Sequence, residues 1–222
     1  MMESVLAVRA RERHPFLDGL QERQALAGIL HPLREPPTGD GWNRSELADL
    51  VPPGQALAEA AVLVGLVPRP RAGTQVLLTR RNDGLRHHGG QVSFPGGRVE
   101  PGDGGVLGAA LRESEEEVAL PAERVAPLGY LDPFMTISGF RVTPVVAVVD
   151  PGFVPRPHPD EVAEVFEVPF SFLMAPENLR QVEMDFRGRR RSVLEYAWPG
   201  QRIWGATAAI LYNLRRRLEE GP

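Results

Sequence analysis

A chain of 222 residues is long enough for one sizeable core, alone or with an extension, and 42% hydrophobic against 24% charged residues excludes disorder throughout. The net charge of −4 gives no electrostatic footprint for wrapping nucleic acid. With no Cys and no Lys, all 25 Lys or Arg positions being Arg, thiol chemistry, disulfides, Schiff bases and phosphate-cradling lysines are all excluded, and anion recognition falls to guanidinium groups and, as the alternative, to His.

Taken in chain order, the N-terminus lacks the charged segment, apolar run and small-residue cleavage site of a leader. No span reaches the ~20 apolar residues needed to cross a bilayer, so a cytoplasmic protein without membrane contact is expected. Val5, Leu6, Leu17, Leu20, Leu26, Ile29 and Leu30 stand among charged positions and predict one or two short amphipathic helices over residues 1–31. Residues 32–55 are rich in Pro and Gly and read as a connector around a short helical piece, Ser45–Leu50. The division expected is therefore a helical and loop extension over residues 1–55 and one catalytic domain over residues 56–222.

That domain opens on two buried strands, Ala60–Val67 and Thr74–Arg80, separated by a Pro/Gly turn. A helix follows over Gly104–Ala119, with Asp103 as its N-cap and Pro121 beyond its end. Further strands are expected near 125–131, 141–149, 162–168, 180–186 and 191–198, and Thr207–Leu218 closes the chain as an amphipathic helix. Strands interspersed with a few helices predict an α/β (α+β) fold with a mixed central sheet covered by helices on both faces. Arg189-Arg190-Arg191 after Gly188 reads as a solvated turn between strands, with contact to a substrate phosphate as the less favoured alternative.

The most informative stretch is Leu111-Arg112-Glu113-Ser114-Glu115-Glu116-Glu117-Val118. Carboxylates crowd the last two turns of a helix, where the macrodipole is already negative and like charges at i,i+4 repel. Glu113, Glu116 and Glu117 share one face at i, i+3 and i+4, while Glu115 points elsewhere. Three hard oxygen donors on one face suit Mg²⁺ or Mn²⁺, and a solvated acidic face is the plain alternative. Arg112, at i,i+4 to Glu116, is placed to hold carboxylate geometry, and the Gly96-Gly97 turn ahead of the helix favours the metal.

These residues resemble the Nudix hydrolase signature G-x5-E-x7-R-E-U-x-E-E-x-G-U, U being aliphatic. Gly97, Arg112, Glu113, Glu116, Glu117 and Leu120 match it; Asp103 stands where the first Glu is found, with one extra residue before Arg112, Ser114 replaces an aliphatic residue and Ala119 the late Gly. The stretch Leu77–Gly97 is similar to the L-L-T-x-R-S-x-x-L-x-x-H-x-G-Q-[VI]-[AS]-F-P-G-G motif of one Nudix subgroup, the coenzyme A pyrophosphatases, with Asn82 in place of Ser. Gly139–Val146, Asp160–Val162, Phe166–Pro169 and Ile203–Ala208 also look like that subgroup, so the resemblance spans roughly residues 60–215.

The resemblance implies a Nudix αβα sandwich and a metal-dependent pyrophosphohydrolase. The implied reaction splits coenzyme A or its thioesters into 3′,5′-ADP and a 4′-phosphopantetheine product. Glu113 and Glu117 are expected to bind Mg²⁺ or Mn²⁺, Glu116 to complete or bridge the site, Arg112 to fix its geometry and the Gly97 turn to bring a main-chain carbonyl to the ion. Glu100 and Asp103 are outer ligands or caps, capping being favoured for Asp103. Glu161 and Glu164 are the candidates for the base that activates water, with an exposed loop acid as the equal alternative for each. Arg81 and Arg86 are candidates for the 3′-phosphate or the pyrophosphate, and His88 and Gln91 for orienting a phosphate or for pinning their own turn. Trp198, Trp204 and Phe140 are aromatic candidates for the adenine or pantetheine path, with core packing as the alternative. Other readings are a different nucleoside diphosphate derivative, such as ADP-ribose or a dinucleotide, and a domain that senses nucleotide without cleaving it. The expected partner is a small nucleotide, with a homodimer as a further possibility.

Overall fold

A computed structural model of the chain describes residues 20–52, 54–85, 88–186 and 188–222. The expected positions Val5, Leu6 and Leu17, the substrate candidate Arg86 and the neighbouring His87 lie outside these residues.

Strand β1 (Ala58–Arg69) shows why the fold forms. Ala60, Val64 and Leu66 enter one apolar core while Ala61, Leu63 and Val67 enter another, so the strand is buried on both faces and reads as an unbroken hydrophobic run. β2 (Gly73–Arg81) returns antiparallel beside it, and β7 (Phe140–Val149) runs parallel on its other side, with Val62 opposite Pro144. β3 (Val92–Ser93) and β8 (Val162–Pro169) pair with β2, β4 (Gly96–Arg98) with β1, and β5 (Val125–Tyr130) and β6 (Phe134–Met135) with β7. The result is an eight-stranded mixed sheet.

Helix α2 (Val106–Val118) lies on one face through Ala109, Ala110 and Val118. On the other face lie α1 (Leu20–Gly28), the short α3 (Phe170–Met174) and α4 (Ala206–Glu220), contributing Leu26, Phe170, Leu173, Ile210, Leu211 and Leu214. Helices on both faces of a mixed sheet are the expected architecture. None of the helices among the described residues is long and apolar enough to cross a membrane.

The last strands depart from expectation. β9 (Leu179–Phe186) and β10 (Arg189–Trp198) do not extend the central sheet; with β11 (Gln201–Trp204) they form a separate three-stranded antiparallel sheet. Pro169 ends β8, and α3 turns the chain away from the sheet edge. Arg190 and Arg191 flank the β9–β10 hairpin and pair with Glu183 and Asp49, so they face surface acids.

The segment after α1 is fastened to the domain. His31 and Tyr130 exchange backbone hydrogen bonds, and Asp132 accepts from Arg217, His31 Nε2 and Asn213, while Arg217 also donates to the Ile29 carbonyl. Burial alone would push Asp132 up, but the hydrogen bonds from Arg217, His31 and Asn213 hold its carboxyl well below the usual range. The helical piece expected at Ser45–Leu50 is a single 3-10 turn, Arg44–Leu47.

α2 starts at Val106 with Gly105, not Asp103, as its N-cap, which corrects the expected cap. It ends on Ala119 in the left-handed region, φ 57°, ψ 36°, donating to the Ser114 and Glu115 carbonyls. This is where the signature that the sequence resembles has Gly, and an L-residue there is disfavoured by about 1 kcal/mol. Ala119→Gly should therefore raise unfolding free energy by about 1 kcal/mol, a rise of about 2–4 °C in melting temperature for a chain this long. An unchanged or lower melting temperature would show that the Ala methyl has packing worth as much as the strain.

Candidate active site

The site is assembled where β4 passes between β1 and α2. Gly96 and Gly97 pair with Val62 and Ala61, and neither has room for a side chain. A Cβ on Gly96 would meet the Ala61 carbonyl oxygen at 2.3 Å, and one on Gly97 would meet Glu113 Oε1 at 2.4 Å. The diglycine therefore lets the β4 backbone lie directly against the acidic face of α2.

On that face Glu113 and Glu117 point toward the sheet, and Glu117 is only 2% exposed. Its carboxylate accepts from the Gly96 amide (3.2 Å) and from Arg81 Nη1 (3.4 Å). Burial pushes it up to about 7; Arg81 and the Gly96 amide oppose the shift, and the charges of Glu113 and Glu161 add to it. Glu113 is also raised, first by burial and further by Glu116 and Glu161, against the pull of Arg112. Glu116, with a side chain 57% exposed, turns outward to Arg112 Nη1 at 2.9 Å, and Glu115 is exposed.

Arg112 is the hub on the other side. Its Nε donates to Asp103 Oδ1 (2.7 Å), Nη2 to Asp103 Oδ2 (3.2 Å) and to the Arg98 carbonyl (3.0 Å), and Nη1 faces Glu113 Oε1 at 3.0 Å. Asp103, expected to cap the helix, thus clamps this arginine and accepts from the Glu100 amide. Hydrogen bonding to Arg112 holds the Asp103 carboxyl below its ordinary range. A bidentate guanidinium with a third, backbone anchor fixes the β4 strand, the helix and two glutamates in one frame.

The third buried-side charge comes from a loop. Residues 150–161 fold back over the C-terminal end of α2, where the Arg156 and His158 amides donate to the Val118 and Glu117 carbonyls at 2.9 and 2.8 Å. Helix ends leave such carbonyls unsatisfied, so the loop serves as a cap. It brings Glu161 close enough for its charge to raise both Glu113 and Glu117. Asn82 holds the loop from the other side: its amide donates to the Glu161 carbonyl (2.8 Å) and its Nδ2 to the Pro159 carbonyl (2.9 Å). Glu164 lies beyond, hydrogen-bonded by Gln201 at 2.8 Å and 3.7 Å from Arg80. The geometry thus separates the two expected bases: Glu161 stands at the carboxylate cluster and Glu164 at the sheet edge.

Arg81 lies beside Glu117, and its buried Nε has no hydrogen-bond partner. His88 and Gln91 hydrogen-bond each other at 3.0 Å, and the turn closes through Arg81 N to Gln91 O at 2.9 Å. His88 sits in the left-handed region with φ 57°. Trp198 packs edge-on against Phe172 at 4.9 Å, Phe140 lies against the α4-side core, and Trp204 carries the Arg202 guanidinium 4.9 Å from its ring centre.

Among the described residues no three acidic or His side chains are drawn into a ready coordination sphere. The donor set nevertheless fits a hard divalent ion. Glu113, Glu117 and Glu161 are hard oxygen donors, the first two with raised proton affinity, and the cradle at Gly97 is filled by the Glu113 carboxylate. Sequence reasoning missed the roles of Asn82 and Asp103. Asn82 departs from the subgroup motif that the sequence resembles, and that departure is the available signal.

A model of the NUDIX domain matches residues 57–195. The chain is 39% identical over 184 residues to a protein of Photorhabdus laumondii described as uncharacterized Nudix hydrolase NudL, covering 81% of this chain and 97% of that one. A protein of the same description from Pectobacterium atrosepticum is 40% identical over 164 residues, covering 74% and 84%. Among solved structures, a Nudix hydrolase from M. smegmatis, RenU, aligns with TM-score 0.44 and 26% identity over 51% of this chain and 71% of that one.

Proposed function

The chain belongs to the Nudix family of hydrolases, and on that premise we propose that it cleaves the diphosphate of coenzyme A or its thioesters in a divalent-metal-dependent reaction. The observation that carries this reading is the placement of Glu113 against Gly97 and of the buried Glu117 on the Gly96 amide, with Glu161 on the loop that caps the same end of the helix. The choice of substrate is supported by the similarity of Leu77–Gly97 to the coenzyme A pyrophosphatase motif.

Water attacks one phosphorus of the diphosphate, the bridging P–O bond breaks, and 3′,5′-ADP and 4′-phosphopantetheine separate. Magnesium or manganese, when bound, neutralises charge on the diphosphate and activates water. Glu113, Glu117 and the Gly97 carbonyl would hold the ion, with Glu116 completing or bridging the set. Glu161 accepts the proton of the attacking water, and Asn82 with the capped end of α2 keeps it aimed there. Arg112 is a positioning residue that acts through Glu113 and Glu116. Arg81 and Arg86 meet phosphate oxygens, while His88 and Gln91 pin their own turn.

Purified protein incubated with Mg²⁺ or Mn²⁺ and a panel of coenzyme A, ADP-ribose and dinucleotides tests the proposal. Coenzyme A should be turned over at least about tenfold more efficiently, in kcat/KM, than the other substrates. Preference for another member would move the substrate and keep the chemistry. Binding without turnover of any member would make the domain a nucleotide sensor.

A further inference from the structure

Among the described residues Arg81 is the one cation in contact with the buried carboxylate of Glu117, and the contact is an indifferent one. Nη1 lies 3.4 Å from Glu117 Oε1, at the long edge of a hydrogen bond, and Nε is buried without a partner. Arg112, by contrast, is fully engaged by Asp103, Glu113, Glu116 and the Arg98 carbonyl, at distances from 2.7 to 3.2 Å. One arginine is locked into the frame; the other is held by charge and little else. A side chain 26% exposed, leaving β2 at the bulge between Arg80 and Arg81, has a path outward.

We propose that Arg81 is an exchangeable counterion: it occupies Glu117 while no divalent ion is bound, is expelled when one binds, and then takes a phosphate oxygen of the substrate. This rests on the reading of Glu117 as a metal ligand. A divalent ion drawing on Glu117 repels a guanidinium about 3–4 Å away. Arg112 is kept beside its glutamates by Asp103 and the Arg98 carbonyl, whereas Arg81 has one long contact and an unpartnered Nε, so the entry of the ion favours its departure. Departure costs little, because the bond lost is long and the Nε gains a partner it now lacks. A guanidinium released beside the ion faces the pyrophosphate of a bound nucleotide, for which its planar fork is well matched. Metal binding thereby readies the phosphate site, and the two ligands are thermodynamically coupled through one side chain.

The two halves predict opposite signs for one variant. In Arg81→Gln the competitor is gone, so Mn²⁺ titrated into the full chain without nucleotide, read by calorimetry, should bind about five- to tenfold tighter than in the wild type, while KM for coenzyme A at saturating Mn²⁺ rises about tenfold or more. Arg81→Lys keeps a charge at Glu117 and loses the fork, so its Mn²⁺ affinity should stay within about twofold of the wild type and its KM should still rise. A merely structural arginine would weaken metal binding when removed. Unchanged or weaker Mn²⁺ binding in Arg81→Gln, with the wild type binding normally, would overturn the exchange and leave the metal site standing. If the wild type itself binds no Mn²⁺, the proposed function fails first. Should Arg81→Gln not fold, Arg81→Lys decides: a change in Mn²⁺ affinity beyond about fivefold in either direction overturns the exchange.

Discussion

Glu117→Gln should lower turnover by at least about a hundredfold and at the same time make the metal-free protein more stable at neutral pH. The first effect follows from replacing a hard anionic oxygen donor by an amide. The second follows from burial. Glu117 is 2% exposed and its carboxyl is pushed from 4.5 up to about 7 in the fold. Between those values the native state holds a proton that the unfolded chain has released, so stability falls as pH rises from about 4.5 to 7, and above 7 the whole cost is present. A shift of that size corresponds to a few kcal/mol at most, of which Gln recovers a part, about 1–3 kcal/mol, because Arg81 then faces a neutral group. Melting curves of metal-free wild type and variant should therefore converge near pH 4.5 and separate by several degrees at pH 8. Mn²⁺ should reverse the order, stabilising the wild type and not the variant. Wild-type turnover in the variant would remove Glu117 from the site; equal melting at pH 8 would show that the carboxylate is better solvated than its burial implies.

Such a site was partly legible in the sequence, and the limits have physical causes. The i, i+3, i+4 spacing of Glu113, Glu116 and Glu117 is a local property of a helix, so the shared face was readable. What the face meets was not. Glu113 and Glu117 turn inward because β4 runs beneath them, whereas Glu116 turns to Arg112; this division depends on a three-residue strand too short for any periodicity. Asp103 reads as an N-cap from its place before the helix, yet Gly104 and Gly105 insert a bend with φ 69° and 118°, and the carboxylate is delivered to the Arg112 side chain instead. Glu161 and Glu164 were indistinguishable as loop acids until β8 proved to start at Val162, which leaves Glu161 on the capping loop and carries Glu164 to Gln201.

The fold shows the same boundary between local and distant causes. Long apolar runs such as Ala60–Val67 and the 3.6-residue pattern of Thr207–Leu218 announce themselves, since burial on both faces or on one stripe is written in consecutive residues. The assignment of β9 and β10 to a second sheet is not so written. It depends on α3, five residues long, redirecting the chain after Pro169.

The adjacent glycines give the sharpest separation of structure from chemistry. Gly96→Ala should destabilise the protein by about 3 kcal/mol or more, whereas Gly97→Ala should cost about 1 kcal/mol or less and abolish most activity, at least about thirtyfold in kcat. At Gly96 the new methyl meets main chain, the Ala61 carbonyl oxygen at 2.3 Å and Val62 Cα at 2.6 Å, and a paired central strand cannot retreat from it. At Gly97 the obstacle is the far end of one side chain, Glu113 Oε1 at 2.4 Å and Cδ at 2.6 Å, which can rotate away into solvent. That rotation preserves the fold and removes one of the proposed ligands from the Gly97 carbonyl and from Arg112 Nη1, so Mn²⁺ affinity should fall together with kcat. Thermal melting and a Mn²⁺ titration on both variants decide the matter. A Gly97→Ala protein that keeps wild-type turnover and metal affinity would mean that the Glu113 carboxylate does not need its place against β4, and the metal platform would have to be sought elsewhere on α2.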